Sequence, residues 1–418
     1  MNDVVMLFFR LLTMPLRQGL CKRVDVVFDR YDLPQSIKES ERLRRGSSSA
    51  LEIKITTRNT PVPKQWQKFI SNRQNKVNLS SFLCKEWCEM AKRELQRDQE
   101  LIIGGGFNDP AIAVMISNRS CHNLDELKSD HEEADTRMIL HACHASSSKA
   151  RIVIQSPDTD VAVLSIHFFY NMQCQQLWFK TGVKDKVRFL PVHAIAMKLG
   201  VSVCSALPGF HALTGCDSTS GLFQVGKKKA WKALIKDDNM QDHVGNLGTH
   251  IPPSNRTIQN CESFICSLYA TTKKAGRTVD EVRYWMFCQK HQSSERLPPT
   301  SNSLRHHILR ANYQSYVWKR SLQPMQELPS PSANNGWKEV DGILEPELMS
   351  KDPAPQCLLE LTTCRCSKSA CTRDTCSCKA NEMPCIEACF CMSDESCQNP
   401  YKPTEPTMES TDDELTDE

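Results

Sequence analysis

Residues 364–397 read CRCSKSACTRDTCSCKANEMPCIEACFCMSDESC, and they restrict the fold more than any other stretch of the chain. The nine cysteines are Cys364, Cys366, Cys371, Cys376, Cys378, Cys385, Cys389, Cys391 and Cys397, with three C-x-C pairs among them and no histidine. So short a segment, poor in apolar residues, needs a staple, either disulfides or metal. Of the 21 cysteines, eleven are spread singly over residues 1–356 and ten lie between Cys357 and Cys397. A secreted disulfide scaffold would not concentrate them at one end, so the pattern implies a reducing intracellular compartment and thiolate-bound zinc. About three zinc ions fit the ligand count. Twelve tetrahedral positions are filled by nine thiolates if six bind one ion and three bridge two. Cys357 lies outside the pattern as a spare thiol.

The remainder is ordinary globular sequence. No run approaches the roughly 18 apolar residues of a membrane span, and no membrane association is expected. The N-terminal VVMLFFRLLTM is interrupted by Arg10 and preceded by no basic residue, so it reads as an amphipathic helix rather than a signal peptide. The net charge of +3 is uneven: residues 401–418 hold seven acids and one lysine, leaving +9 elsewhere. A basic body with an acidic tail suits nucleic acid or another acidic surface as partner.

Apolar runs that read as strands alternate with helical patterns, which predicts an α/β fold with a largely parallel sheet. QLWFKT and KVRFLPV read as a hairpin, HAIAMKLG as a helix stopped by glycine, and SSFLCKEWCEMAKRELQ as a helix capped by Ser80. The expected organisation is a catalytic-type domain over 1–240 and a helical extension over 241–322. A Pro/Ser-rich linker over 323–356, a zinc module over 357–398 and a disordered acidic tail over 399–418 complete it.

Within the first domain, acids recur at strand ends and helix starts. Asp29 follows VDVVF, Asp158 and Asp160 follow RIVIQ, and Glu132, Glu133 and Asp135 open a helix. Asp217 follows a Gly-Cys turn. Ligands of α/β sheets bind beyond the carboxyl ends of strands. Clustered carboxylates there would repel without cations, and hard oxygen ligands suit Mg²⁺ or Mn²⁺ in phosphodiester chemistry. Helix capping explains single acids equally well, but one cap does not need both acids of Asp158–Thr159–Asp160. Residues 218–236 carry five lysines and no acid, which reads as a phosphate-binding helix or as a solvated face.

The order of these blocks resembles the flap endonuclease/XPG class of PIN-like nucleases. VFDRYDLPQSIKESERLRRG, EAD, SPDTDVAVL and LTGCDSTSGLFQVGKKKAWKAL follow one another as in that family, over residues 24–235. The resemblance implies a PIN-like three-layer fold. It assigns Asp29, Glu133, Asp135, Asp158, Asp160 and Asp217 to a divalent-metal site and Arg42, Arg44 and Arg45 to a clamp on the scissile phosphate. Gly221, Gly226, Lys227, Lys228 and Lys229 would hold duplex DNA. Family members carry a further metal-binding Asp on a strand upstream of VFD, whereas Asp29 is preceded by only 28 residues. Asp25 lies about 13 Å back along its strand and cannot substitute. The expectation is that one ligand and one central strand are missing, leaving either an incomplete chain or a relic site. Asp135 also stands where the family has Glu.

The cysteine segment resembles the CXC domain of tesmin-like and dosage-compensation proteins, which implies three zincs and DNA contact through Lys368 and Arg373. Thr375 replaces a Tyr of the tesmin-type repeat, and one repeat is present instead of a pair. Four Lys/Arg against five Asp/Glu leave this segment poorly suited to phosphate, so protein docking is the alternative use. The expected function is a nuclear, structure-specific DNA nuclease or its remnant, paired with a zinc module as in mobile-element-associated proteins. The alternatives are a non-catalytic DNA- or chromatin-binding protein and a protein-interaction scaffold.

Overall fold

The computed structural model describes residues 1–33, 36–38, 51–269, 276–288, 296–352, 363–366, 370–386, 389–391 and 393–402. Helix α1 (Asn2–Arg17) buries Val5, Phe9, Thr13 and Leu16, a single stripe at helical spacing. The expected amphipathic helix is therefore an integral part of the core. The Trp87 indole N–H donates to the Val5 carbonyl at 3.3 Å, and the Gln99 amide to that of Leu16 at 2.8 Å.

Strand β1 (Arg23–Val27) runs parallel to β2 (Glu100–Gly104), with Arg23 opposite Glu100 and Val27 opposite Gly104. Helices α2 (Trp66–Ser71) and α3 (Arg73–Glu94) lie in the crossover between them. Helix α3 starts earlier than expected. Asn72 adopts extended backbone and its side chain accepts from the Asn75 N–H, so the cap is made there. Ser80 is buried in mid-helix and bonds back to the Val77 carbonyl. Strands β3 (Ala113–Ile116) and β4 (Cys121–Asn123) extend this sheet antiparallel.

Helix α4 (Ala134–Ser146) leads to β5 (Arg151–Gln155), α5 (Thr159–Phe168), β6 (Gln176–Thr181) and β7 (Arg188–Pro191). β5 and β6 are parallel, and β6 and β7 form the expected hairpin. Among the described residues there is thus no single, largely parallel sheet. A four-stranded sheet ordered β1-β2-β3-β4 and a three-stranded sheet ordered β5-β6-β7 each contain one parallel pair. Chain length between strands decides this, since parallel neighbours need a crossover of a dozen or more residues. The β3–β4 and β6–β7 connections are too short for one. Helix α4 packs against both β1 and β5, the edge strands of the two sheets.

The rest is mainly helical: α6 (Val192–Leu213), α7 (Lys227–Lys236), α8 (Asp238–Gly245), α9 (Asn255–Tyr269), α10 (Val279–Cys288) and α11 (Ser301–Lys319). Helix α6 is long and apolar enough to cross a membrane by length and composition alone. Gly200, at φ 77°, breaks it as the sequence signalled, and Ala196, Phe210 and Leu213 are core residues. Segment 323–352, which falls in the expected linker, is docked. Its hairpin β8 (Trp337–Val340) and β9 (Ile343–Pro346) buries Trp337 and Leu344 with Tyr313 and Ile37. The Asp130 N–H donates to the Pro324 carbonyl at 3.0 Å. A short helix, α12 (Ser377–Ala380), lies in the cysteine segment.

Phe9 is fully buried in the α1–α3 core. Phe9→Ala is predicted to destabilise the chain by about 3–5 kcal/mol. Urea denaturation checks this, and an unchanged midpoint would mean that α1 is not docked.

Candidate functional site

Strand β1 delivers Asp29 just past its carboxyl end, where Oδ1 accepts from the Ala134 N–H at 2.7 Å and Oδ2 from the Tyr31 hydroxyl at 2.9 Å. Asp29 therefore caps α4 across space. Past β5, Asp158 caps α5 by accepting from the Asp160 N–H at 2.8 Å. Capping leaves further carboxylate oxygens available. Asp135, in the first turn of α4, Asp158 and Asp160 bring one oxygen each within 4.8 Å of one another, and this set could hold a metal ion. Asp25 is committed elsewhere, to Arg23 and to His141 Nδ1 at 2.8 Å.

The remaining acids join through a lysine. Lys38 Nζ lies 2.8 Å from Glu133 Oε1 and 3.7 Å from Asp217 Oδ2. The other Glu133 oxygen is buried with no hydrogen-bond partner among the described residues. Burial pushes the Glu133 carboxyl up to about 7 despite Lys38. Burial, reinforced by the Glu133 charge, pushes Asp135 up to about 8. Burial works against the Lys38 ammonium as well, but the Glu133 charge and hydrogen bond hold its pKa above the ordinary lysine range. Asp160 behaves oppositely. Burial would raise its pKa, but the hydrogen bond from His211 and the nearby Lys38 and Lys227 charges hold it below the ordinary value. His211 Nε2 lies 2.8 Å from Asp160 Oδ1, and Lys227 Nζ lies 2.8 Å from His211 Nδ1.

Lys227, Lys228, Lys229, Lys232 and Lys236 are all exposed along α7, but the Lys227 amine turns back to bond His211. Gly226 caps α7, and Gly221 packs beneath Gly215. Gly215 sits at φ 106°, and a Cβ there would lie 2.8 Å from the Gly221 Cα, so this is the glycine the turn requires. Arg42, Arg44, Arg45 and Lys368 lie outside the described residues, whereas Arg373 is exposed. Sequence reasoning did not single out Lys38 or His211. Lys38 stood in a quoted basic stretch with nothing local to mark it, and His211 stood in an apolar helix.

The cysteines form a second candidate metal centre, with the donor set to hold zinc. Cys364, Cys366, Cys371 and Cys376 lie within 4.8 Å of one another, as do Cys371, Cys385, Cys391 and Cys397. Cys364 and Cys385 share that spacing with Cys378 in one group and with Cys389 in another, and Cys378 and Cys389 are 3.5 Å apart. Cys364, Cys378, Cys385 and Cys389 therefore make a third quartet. The three quartets use all nine cysteines, with Cys364, Cys371 and Cys385 each in two.

Searches against protein families, curated proteins and solved structures return no match for the chain.

Asp135 has an ordinary value of 3.8 and Glu133 one of 4.5, and both hold their protons to higher pH when folded. Between about pH 4 and pH 8 these two carboxyls therefore bind more protons in the folded chain than in the unfolded chain, whereas the buried His131, His167 and His307, pushed down by burial to about 4, bind fewer in the lower part of that window. The stability contributed by Glu133 and Asp135 is predicted to fall as pH rises through that window and to level off above it. The depressed pKa of Asp160 acts in the opposite sense, and only below the window. Thermal unfolding midpoints in cation-free buffer check this, and the difference between wild type and Asp135→Asn should move against wild type as pH rises through the window. A wild-type-to-variant difference insensitive to pH would contradict it.

Proposed function

We propose that residues 1–240 are a PIN-like domain that takes Mg²⁺ or Mn²⁺ at its acid cluster and acts on DNA phosphodiesters, and that the cysteine segment is a zinc module that attaches it to DNA or chromatin in the nucleus. The observation that carries this reading is the convergence of Asp135, Asp158 and Asp160 within 4.8 Å, beside a buried, unpartnered Glu133 oxygen. Buried carboxylates at this spacing are costly unless cations balance them. Divalent ions would supply charge stabilisation for a phosphodiester's transition state and help activate water. The chain's own residues supply the rest. Asp135, Asp158 and Asp160 fix the ion position, Lys38 brings a positive charge to the same edge, and the exposed lysines of α7 offer sequence-independent contact to backbone phosphate.

A second reading has one observation in its favour: the Lys38 ammonium already provides the cluster with an internal counter-charge. A relic that binds DNA without cleaving it would retain such a pair. Cleavage separates the two. Asp158→Asn and Asp160→Asn should each reduce Mg²⁺-dependent cleavage of branched DNA by on the order of 100-fold or more. Wild-type protein that binds the DNA in a salt-dependent way but never cuts it would establish the non-catalytic reading. Cleavage unchanged in both variants would remove the nuclease reading.

For the cysteines, the three quartets fit three zinc ions in a ring bridged by Cys364, Cys371 and Cys385. Cys366→Ser should cost about one zinc per chain and Cys364→Ser more than one. Metal analysis of the purified variants checks this, and equal losses would reject the bridging assignment.

A further inference from the structure

We propose that His211 is a positioning residue for the acid cluster: it orients the Asp160 carboxylate for a divalent cation, and its own tautomer is set by Lys227 on the basic helix. The proposal rests on the cation-binding reading above and extends it to residues outside the ligand set. Three helices contribute one member each: Asp160 from α5, His211 from α6 and Lys227 from the first turn of α7.

Hydrogen-bond chemistry fixes the direction of the chain. A lysine ammonium has donors only, so at 2.8 Å from Lys227 Nζ the His211 Nδ1 must accept. A neutral imidazole that accepts at Nδ1 carries its proton on Nε2, and that N–H donates to Asp160 Oδ1 at 2.8 Å. The other tautomer would present a lone pair to the carboxylate and repel it. Lys227 is held in place by a second bond, to the His211 carbonyl at 3.2 Å. The Trp318 ring lies 5.6 Å from the imidazole, tilted by 35°, and walls its side. The His211 and Asp160 side chains are 10% and 7% exposed, so water cannot readily replace either partner. Metal ligands are commonly oriented by a hydrogen bond of this kind, and its loss weakens metal binding by roughly 10- to 100-fold. Here the orienting group is itself oriented by the helix whose neighbouring lysines, Lys228 and Lys229, face solvent.

The test uses the full chain with Mn²⁺ alone as probe, its affinity read by electron paramagnetic resonance of the free ion. Histidine ¹⁵N shifts report the tautomer, and the His211 signal is assigned by its loss in His211→Gln. Wild type should show the Nε2–H form. His211→Ala should weaken Mn²⁺ binding by about 10-fold or more, whereas His211→Gln, which keeps an N–H donor, should retain most of it. Lys227→Met should shift the His211 ¹⁵N signals from the wild-type pattern and weaken Mn²⁺ as well, a result that a merely structural histidine would not give and that holds even if His211→Ala fails to fold. If Mn²⁺ affinity falls in Asp160→Asn but is untouched in His211→Ala and Lys227→Met, the positioning role is overturned and the cation site stands. Mn²⁺ binding indifferent to Asp160→Asn would overturn the cation site itself, and the proposal with it.

Discussion

Carboxylates gathered at a strand edge repel one another, and the buried Lys38–Glu133 ion pair is the contact that lets this fold gather them. Both side chains are close to one-tenth exposed, and removing one partner of such a pair costs about 3–5 kcal/mol because the other is left buried and unpaired. Much of the architecture converges on holding that lysine. Ser36, two residues earlier, donates to Glu132, and Ile37 packs with Tyr313, Trp337 and Leu344. The hairpin β8–β9 and helix α11 therefore support the acid site from sequence positions some 300 residues away.

The acids divide their work between helix capping and charge clustering. Asp29 and Asp158 each use one oxygen to satisfy a helix N-terminus, and that bond also fixes the side chain at the strand edge. Capping and ligation are therefore compatible roles for Asp158. Asp160 is held from the far side by His211, and Asp135 has no direct cation partner among the described residues; burial, reinforced by the Glu133 charge, moves its pKa furthest from the ordinary value within the cluster. The cysteine module solves a different problem. With few apolar side chains to bury, it packs seven of its sulfur-bearing residues out of solvent, and the sulfurs themselves form its core.

Local elements were largely legible. The apolar stripe of α1, the strands before Asp29 and Asp158, the stop at Gly200, the hairpin of β6 and β7 and the start of α7 at Gly226 all follow from side-chain period and turn chemistry. Three expectations failed for identifiable reasons. Ser80 lost its cap to Asn72, eight residues earlier and ahead of the buried apolar pattern. The single parallel sheet gave way to two sheets because short loops impose antiparallel neighbours. The Pro/Ser-rich composition of 323–333 suggested a linker, but Trp337 and Leu344 of the following hairpin dock the segment against Tyr313 and Ile37.

The sequence alone determined the two chemistries available to this protein. Nine thiolates in one short segment and acids repeated after apolar strands are properties of residue type and spacing, and the thiolates make a donor set that could hold zinc. Only the tertiary structure decided which groups meet. Lys38 reaches Glu133 across 95 positions, His211 reaches Asp160 across 51, and the Lys227 amine turns back to bond His211. Period and propensity act over a few residues, whereas charge partners and hydrogen bonds are selected by packing between distant helices. The composition of the site was therefore written locally, and its balance of charge was settled by the fold.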